Sequence, residues 1–543
     1  MRKWWPLVAV SLGVFMLLTD VSIVIVALPD IGAGLGMDFD GLQWVMDGYA
    51  LALAALLLGL GAVADRAGRR RVYTVGLVVF AAASLACGLA PNGGVLVAAR
   101  IVQAGGGAAM FATAMALLNL AYRGRDRAVA FGVWGAVSGA AAATGPVAGG
   151  LLTEFLGWRS VFLVNLPVAV AGVVLTRRTL PESRNPAAHR IDLPGAAAFT
   201  VAAGSAVLVL IRGGADGWTS PSVLGAAGAA VAALAVFLLV ERRSPHPLLD
   251  LGLFRSPVFT GVMVCGLVYS AAAFSYLPYT SLWLQSVLGR GPMAAGLTLL
   301  PMSVVAFAVS ALAGRRLAVL PAALPLAGGL AVIGAGALLQ CTLDASSSWT
   351  ALLPGLALTG LGVGAVSPVL AACAMAAVPP ERGGMAGGAV NTFRQLGQAL
   401  GIAVLGLVLH QGLRASLAGH PAAVPDADAA ARVLSAGQPV AGLPDGLVRA
   451  AFATALDRTM LVAALTALAG AALVAVLLRG RPAPVRPTAG GPPPGGRSAE
   501  SPGAEGRVAA DRTAEGRTAA DGVAADGRPT AGAVRAADGR RTA

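Results

Sequence analysis

Long apolar runs separated by short polar breaks fill most of the chain between residues 5 and 478. Each run has about 20 residues, enough for an α-helix to cross a bilayer core about 30 Å thick. The pattern predicts an all-α polytopic membrane protein with about fourteen spans. The predicted spans are 5–29, 44–64, 72–90, 95–121, 129–153, 161–176, 194–211, 221–240, 258–279, 292–313, 318–340, 352–378, 388–413 and 452–478.

Basic residues collect in alternate breaks between these runs. The breaks after the second, fourth, sixth, eighth and tenth runs are rich in arginine. Because cytoplasmic loops carry the excess of Lys and Arg, these breaks and both chain termini are predicted to be cytoplasmic. Arg2 and Lys3 agree with this orientation, and the expected location is the cytoplasmic membrane.

The composition supports a membrane protein and excludes several other classes. Hydrophobic residues make up 57% of the chain and charged residues 12%, which is unlike an ordinary soluble domain. The net charge of +13 follows from the basic loops, so no nucleic-acid partner is expected. The four cysteines lie in or beside spans without metal-ligand spacing, and we expect neither a metal nor a cofactor.

Two segments differ from the predicted bundle. Residues 410–451, between the last two spans, are rich in Ala, Pro and Asp, which predicts an irregular external loop with room for a short helix. After residue 481 the chain consists mainly of Pro, Gly, Ala, Arg and Asp. Such a composition cannot bury a core, so residues 481–543 are predicted to form a disordered cytoplasmic tail.

Ionisable residues within the apolar runs are the main functional candidates. Asp20 lies in "LLTDVSIVIVALP", and Asp47 and Arg100 are expected in the same outer half of the membrane. A charge at such a depth costs roughly 3 kcal/mol unless it faces a cavity or a partner. Two acids that share one arginine can exchange a single proton near neutral pH, and a cationic substrate can compete with that proton. The alternative is a fixed Asp20–Arg100 pair that holds two spans together.

Other polar residues are weaker candidates. Arg394 and Gln395 in "NTFRQLGQALG" are predicted to form a cytoplasmic gate at the entry to the thirteenth span, although a packing role fits them equally well. A substrate cavity is expected to be lined by Tyr49, Gln103 and Asn119.

The break between the second and third spans reads "GAVADRAGRRR" from Gly61. Its order of residues resembles the signature loop of the major facilitator superfamily. A weaker echo without the Asp, "ALAGRRLAVLP", begins at Ala311, as expected if a second half repeats the first. The resemblance implies a conformational role for the motif residues Gly61, Asp65, Arg66, Gly68, Arg69 and Arg70.

Further stretches narrow the resemblance. "GAVSGAAAATGPVAGG" resembles the superfamily's fifth-span antiporter motif, and its small residues permit close helix packing. The order of "QWVMDGYALALAALLLG", "WRSVFLVNLP", "PLLDLGLF" and "NTFRQLGQALG" is similar to the fourteen-span drug:proton antiporter branch of multidrug and quaternary-ammonium exporters. The fifth-span motif residues assigned a conformational role are Gly145, Pro146, Gly149 and Gly150.

The resemblance implies a major facilitator fold and a transport function. Two six-span bundles are expected at 1–185 and 246–480, with two additional spans at 186–245. The implied protein is a monomer, not an enzyme, and exports amphipathic, aromatic or cationic molecules in exchange for protons. Its expected partners are the small-molecule substrate, protons and membrane lipids. A dedicated exporter of one metabolite or lipid, and a membrane sensor or scaffold without transport, remain open alternatives.

Overall fold

The computed structural model describes residues 2–183, 192–245, 247–317, 320–378, 383–421 and 423–479. Regular structure in these ranges is helical throughout, which confirms the all-α prediction. The predicted tail at 481–543 lies outside the described residues.

The first seven helices form the part of the chain that precedes residue 184. The sixth predicted span is two helices, because the chain bends at Val164, three residues before Pro167. The helices are α1 (Trp5–Leu35), α2 (Phe39–Ala67), α3 (Arg69–Gly88), α4 (Gly93–Ala121), α5 (Gly124–Leu156), α6 (Ser160–Leu163) and α7 (Asn165–Thr179).

Ten further helices complete the described structure. The ninth predicted span is also interrupted: it covers α10 and the start of α11, which is followed by a π-helical turn, Trp283–Val287. The helices are α8 (Leu193–Asp216), α9 (Pro221–Arg243), α10 (Pro257–Ala273), α11 (Leu277–Leu282), α12 (Pro292–Leu317), α13 (Ala323–Leu339), α14 (Leu353–Ala376), α15 (Gly383–Ala418), α16 (Ala427–Ser435) and α17 (Asp445–Leu478).

Each predicted span coincides with a helix or with a pair of consecutive helices. Within the described residues, 11 helical segments are long and apolar enough to cross a membrane, and α13 is a shorter apolar helix. The total of fourteen spans therefore stays a prediction.

The loop expected at 410–451 is shorter than the sequence suggests. Helix α15 continues to Ala418 and α17 already begins at Asp445. The extension of α15 is stabilised by Leu409, Leu413 and Leu417, which are spaced one turn apart and are fully buried. The short helix α16 lies between α15 and α17 in the chain.

The helices pack as two halves that meet along two seams. We call α1–α7 the first half and α10–α17 the second half. Helix α2 packs against α15 along one seam, and α5 packs against α12 along the other. Helix α8 contacts both α2 and α15, so the α8–α9 hairpin lies beside the first of these seams.

Glycines bring the backbones together along the α5–α12 seam. A Cβ atom on Gly150 would lie 2.6 Å from the carbonyl oxygen of Pro292, and one on Gly149 would lie 2.6 Å from that of Ile23. Gly296 of α12 has equally little space, because it faces the Pro146 carbonyl of α5. The small-residue motif of the sequence therefore acts in helix packing both within the first half and between the halves.

Replacing Gly150 by alanine is expected to destabilise the protein by about 1–3 kcal/mol, because the added methyl group overlaps backbone atoms that cannot move freely. The measurement is thermal unfolding of the purified protein in detergent. Gly225→Ala is the matched control, since nothing lies within 4 Å of a Cβ at that position. Equal melting temperatures for the two variants would contradict the close packing.

Candidate functional site

Asp20 lies at the centre of a buried polar network within the first half. Its Oδ2 atom accepts a hydrogen bond from Arg100 Nη1 at 2.5 Å. Its Oδ1 atom accepts from Gln103 Nε2 at 2.9 Å and from Asn165 Nδ2 at 2.8 Å. Because Asp20 and Arg100 are each only 1% exposed, the ion pair is shielded from water and its polar groups are satisfied by protein.

Arg100 is held on several sides. Its Nη1 atom also donates to Gln103 Oε1 at 2.7 Å, and its Nε atom donates to the carbonyl oxygen of Val45 at 3.4 Å. The Tyr49 ring lies against the guanidinium, with its centroid 4.1 Å from Cζ. A guanidinium stacked on an aromatic ring and bonded to a carboxylate is strongly oriented. The network therefore ties α1, α2 and α4 together.

Two members of this network, Ser84 and Asn165, are not among the residues predicted from the sequence. Gln103 Nε2 donates to Ser84 Oγ at 2.8 Å, and Asn165 is the first residue of α7. The helix break at Val164 directs Asn165 inward, where it is 4% exposed. A polar residue two positions before a proline in an apolar run, as in "VNLP", is the signal that identifies it.

Asp47 has a different environment. It is fully buried, and neither carboxylate oxygen has a hydrogen-bond partner among the described residues. It lies one helical turn from Gln43, whose Nε2 atom donates to Tyr279 Oη at 3.1 Å and to the carbonyl oxygen of Ile402 at 3.3 Å. The same stretch of α2 packs against α15 of the second half. This carboxyl group is therefore at the seam between the halves, whereas Asp20 is inside one of them.

The two acids suit different charge states. The charge of a buried carboxylate is compensated when a cation and amide donors surround it, as they surround Asp20. An isolated buried charge is costly, so the neutral acid is the form of Asp47 that fits this arrangement. One site can thus hold a fixed negative charge while the other holds a proton.

The residues predicted to line a cavity lie in two separate places. Tyr49 and Gln103 are both buried in the Asp20 network, because they supply the ring and the amide that hold Arg100. Asn119 is exposed near the end of α4, about 24 Å along the helix from Gln103. The structure does not bring these three residues together.

Arg394 lies about three turns inside α15, and the gate expected there stays a prediction. It is about 16 Å along α15 from Gly383, since the helix begins before the predicted span. Its guanidinium lies over the Tyr269 ring at 5.3 Å, and its Nη1 atom is 3.5 Å from Asn391 Oδ1. Gln395 is half-buried beside it. Arg394 therefore lies within the second half, about a third of the way along its helix.

A sequence profile described as the Major Facilitator Superfamily matches residues 10–402. The chain belongs to the Major Facilitator Superfamily.

The curated relatives of this superfamily member include drug-resistance proteins. It is 40% identical over 422 residues to multidrug resistance protein Stp of Mycobacterium tuberculosis, covering 77% of this chain and 78% of the relative. It is 36% identical to the methylenomycin A resistance protein of Streptomyces coelicolor, covering 74% and 85%. It is 34% identical to the tetracenomycin C resistance and export protein of Streptomyces glaucescens, covering 75% and 76%.

A solved structure supports the same fold. A bacterial homologue of the human lysosomal transporter Spinster, in an inward-facing and unoccupied conformation, has a TM-score of 0.59 at 17% identity. The match covers 88% of this chain and 97% of that one. This chain is accordingly a multi-pass membrane protein of the Major Facilitator Superfamily transporter type.

The loop that resembles the signature motif of the superfamily is bound to the segment that follows α7. Arg70 N donates to Glu182 Oε1 at 3.1 Å, and its Nη1 atom donates to the carbonyl oxygen of Leu180 at 3.1 Å. Gly68 has φ +113°, and a Cβ there would lie 2.6 Å from Glu182 Oε1. Arg69 N donates to the carbonyl oxygen of Ser183 at 3.0 Å.

Other positions of the motif take less part in these contacts. Arg66 is exposed, and a Cβ on Gly61 would have open space around it. The side chain of Asp65 lies outside the described residues. The loop thus anchors the end of the first half mainly through its arginines after Gly68.

Breaking the ion pair inside the first half is expected to destabilise the protein strongly. Asp20→Asn or Arg100→Gln alone leaves an uncompensated buried charge and should lower the free energy of unfolding by about 3–5 kcal/mol. The double variant should be less unstable than the sum of the two single variants, because neither charge remains. Thermal unfolding of all four proteins tests this expectation, and additive losses would mean that the pair is not coupled.

Proposed function

We propose that this protein exports amphipathic, aromatic or cationic small molecules across the cytoplasmic membrane in exchange for protons, by alternating access between its two halves. Membership of the Major Facilitator Superfamily supports a transport function. The names of the relatives support drug efflux, since they describe multidrug resistance, antibiotic resistance and export.

The single observation that carries the proton coupling is the environment of Asp47. A buried acid without a partner at the seam between two moving halves has a strong electrostatic reason to bind a proton or a cation. When the seam opens, water reaches the carboxyl group and the proton can leave. A cationic substrate and a proton then compete for one carboxylate, which is the minimum requirement for exchange.

The Asp20–Arg100 network has a complementary role in this proposal. Its charges compensate each other, so it keeps a fixed cation close to the α2 helix that carries Asp47. Loss of the Asp20 charge would leave Arg100 uncompensated and disfavour a second cation nearby. Asp20 and Arg100 therefore influence proton exchange at Asp47 through the positions and the charges of their side chains.

The proposed orientation places both termini in the cytoplasm, with fourteen spans. The argument rests on the arginine-rich breaks of the sequence. In that orientation the contacts between halves concentrate at the external side: Gln43 with Tyr279, Gln285 with Val26, and Glu154 with Met293. The described conformation is then closed on the outside, as an exporter is while it loads its substrate.

A dedicated exporter of one endogenous compound is the second candidate. The relative named as a tetracenomycin C resistance and export protein favours it, because that name joins resistance with export of one compound. A screen of structurally different substrates in cells that lack other pumps separates the two candidates. Resistance to several chemical classes supports multidrug efflux, and resistance to one compound supports the dedicated exporter.

The energy source can be tested in cells loaded with a lipophilic cationic dye. Efflux should stop when a protonophore is added, because the exchanged proton then has no gradient. Efflux should continue when ATP is depleted and the proton gradient is maintained. The reverse pattern would contradict antiport.

Asp47→Asn is expected to abolish proton-driven efflux of a cationic dye while downhill exchange of the dye remains measurable. Asparagine keeps the size of the side chain but cannot release a proton. Dye transport in proteoliposomes with an imposed pH gradient measures the effect. Asp126→Asn is the matched control, since Asp126 is exposed and paired with Lys3. Full proton-driven efflux by Asp47→Asn would remove Asp47 from the mechanism.

A further inference from the structure

Arg394 of α15 is a cation at membrane depth without a described counter-ion. Its Nε atom is buried and has no hydrogen-bond partner among the described residues, and no ion pair among those residues includes Arg394. Its polar contacts are the Tyr269 ring and a long hydrogen bond to Asn391 Oδ1. A guanidinium stays protonated in proteins, so it cannot lose its charge as a buried acid can. Arg394 therefore requires an anion that the described residues do not supply.

Arg100 of the first half shows what a buried guanidinium receives when its charge is compensated. Arg100 lies against the Tyr49 ring and is bonded to the carboxylate of Asp20. Arg394 also lies over a tyrosine ring and beside a side-chain amide, but no described residue takes the place of the carboxylate. A guanidinium that is oriented in this way can donate two parallel hydrogen bonds to the carboxylate of a ligand.

The polar residues in this part of α15 share one face of the helix. One edge of the face is next to Gly401, where a Cβ atom would lie 2.8 Å from Ala271 Cα of α10. The other edge is next to Thr392, whose Oγ1 atom donates to the carbonyl oxygen of Ala54 of α2 at 3.1 Å. Because α10 belongs to the second half and α2 to the first, the face opens toward the space between the halves. Its members, spread over about 100° of the helix, are Asn391, Arg394, Gln395 and Gln398.

This polar face is within reach of a ligand. Asn391, Arg394 and Gln395 are each half-buried, so part of every one of these side chains is accessible. Charged side chains at membrane depth face the bundle interior or a water-filled cavity rather than lipid. In transporters built from two repeated halves, substrate sites lie near the middle of the membrane between the halves. The uncompensated guanidinium is therefore placed where a transported molecule would pass.

We propose that Arg394, Tyr269 and Asn391 form an anion subsite that binds the carboxylate of an amphipathic aromatic molecule between the two halves. The guanidinium of Arg394 donates to the carboxylate, and the ring and the amide orient the guanidinium. The inference rests on the proposed function for its use in transport, and it adds aromatic acids to the exported molecules. The binding itself does not depend on Asp47.

Binding of 2-naphthoate to the purified full-length chain in a low-chloride detergent buffer tests the subsite. Isothermal titration calorimetry should show one saturable site, and Arg394→Gln should weaken it by about tenfold or more. Arg394→Lys should weaken it less, because the charge stays while the forked geometry is lost. Arg243→Gln is the matched control: it removes the same charge from an exposed position at the end of α9 and should change the affinity by less than about twofold.

Thermal unfolding separates a binding role of Arg394 from a structural one. Arg394→Gln leaves no described counter-ion without its partner, so the ligand-free variant should be much closer in stability to the wild type than Arg100→Gln is. Saturating 2-naphthoate should raise the melting temperature of the wild type but not that of Arg394→Gln. A loss of stability as large as that of Arg100→Gln would show that Arg394 belongs to a structural ion pair, and would overturn the subsite.

The position of the bound anion is tested by cysteine protection. Gln395→Cys lies next to Arg394 on the polar face, so 2-naphthoate should slow its reaction with a negatively charged methanethiosulfonate. Ser222→Cys, exposed near the start of α9, should react at the same rate with and without 2-naphthoate. The chain without an introduced cysteine gives the background rate. Equal rates for Gln395→Cys with and without 2-naphthoate would overturn the subsite.

The neutral analogue 2-naphthamide completes the test. It should bind more weakly than 2-naphthoate, and Arg394→Gln should not change its affinity. The absence of a saturable naphthoate site, an equal effect of Arg394→Gln on both probes, or displacement of naphthoate by an equal concentration of chloride would overturn the subsite. Normal antiport of a cationic dye with any of these results leaves the proposed function intact. Naphthoate binding at Arg394 without proton-coupled efflux would instead contradict the proposed function alone.

Discussion

A carboxylate buried between membrane helices must have its charge compensated by a cation, by donors or by a proton. This constraint explains the arrangement around both acids of the first half. Asp20 receives Arg100 and two amide donors, so it is stable as an anion. Asp47 receives none of these among the described residues, so a proton or a substrate is required to neutralise it.

The two acids also differ in their position in the fold, and this decides which of them responds to motion between the halves. All partners of Asp20 come from the first half, so a rigid motion of that half leaves the network unchanged. Asp47 lies on the helix that packs against α15 of the second half, and the motion of one half against the other changes its surroundings. Helix α8 packs in one apolar cluster with α2 and α15 at this seam. A titratable group that moves between dry and wet surroundings can couple motion to proton movement.

The sequence predicts the helices well, because the hydrocarbon core demands long apolar runs and internal hydrogen bonding. It also identifies Asp20, Asp47 and Arg100, since charges are rare in such runs. It does not reveal that hydrogen bonds satisfy the carboxylate of Asp20 and not that of Asp47, because Asn165 and Ser84 come from distant helices. It also does not show that the Tyr49 ring lies against Arg100, because that contact joins α2 to α4. The lengths of α15 and α17 beyond the membrane depend on tertiary packing, which composition does not show.

The most direct test of the central claim is proton release when substrate is added to detergent-purified protein in weakly buffered solution. The account predicts release by the wild type and none by Asp47→Asn, with the substrate still binding to both proteins or binding more weakly to the variant. A pH-indicator dye measures the released protons, and an independent binding assay shows that substrate is bound. Equal proton release per bound substrate by wild type and Asp47→Asn would contradict the account.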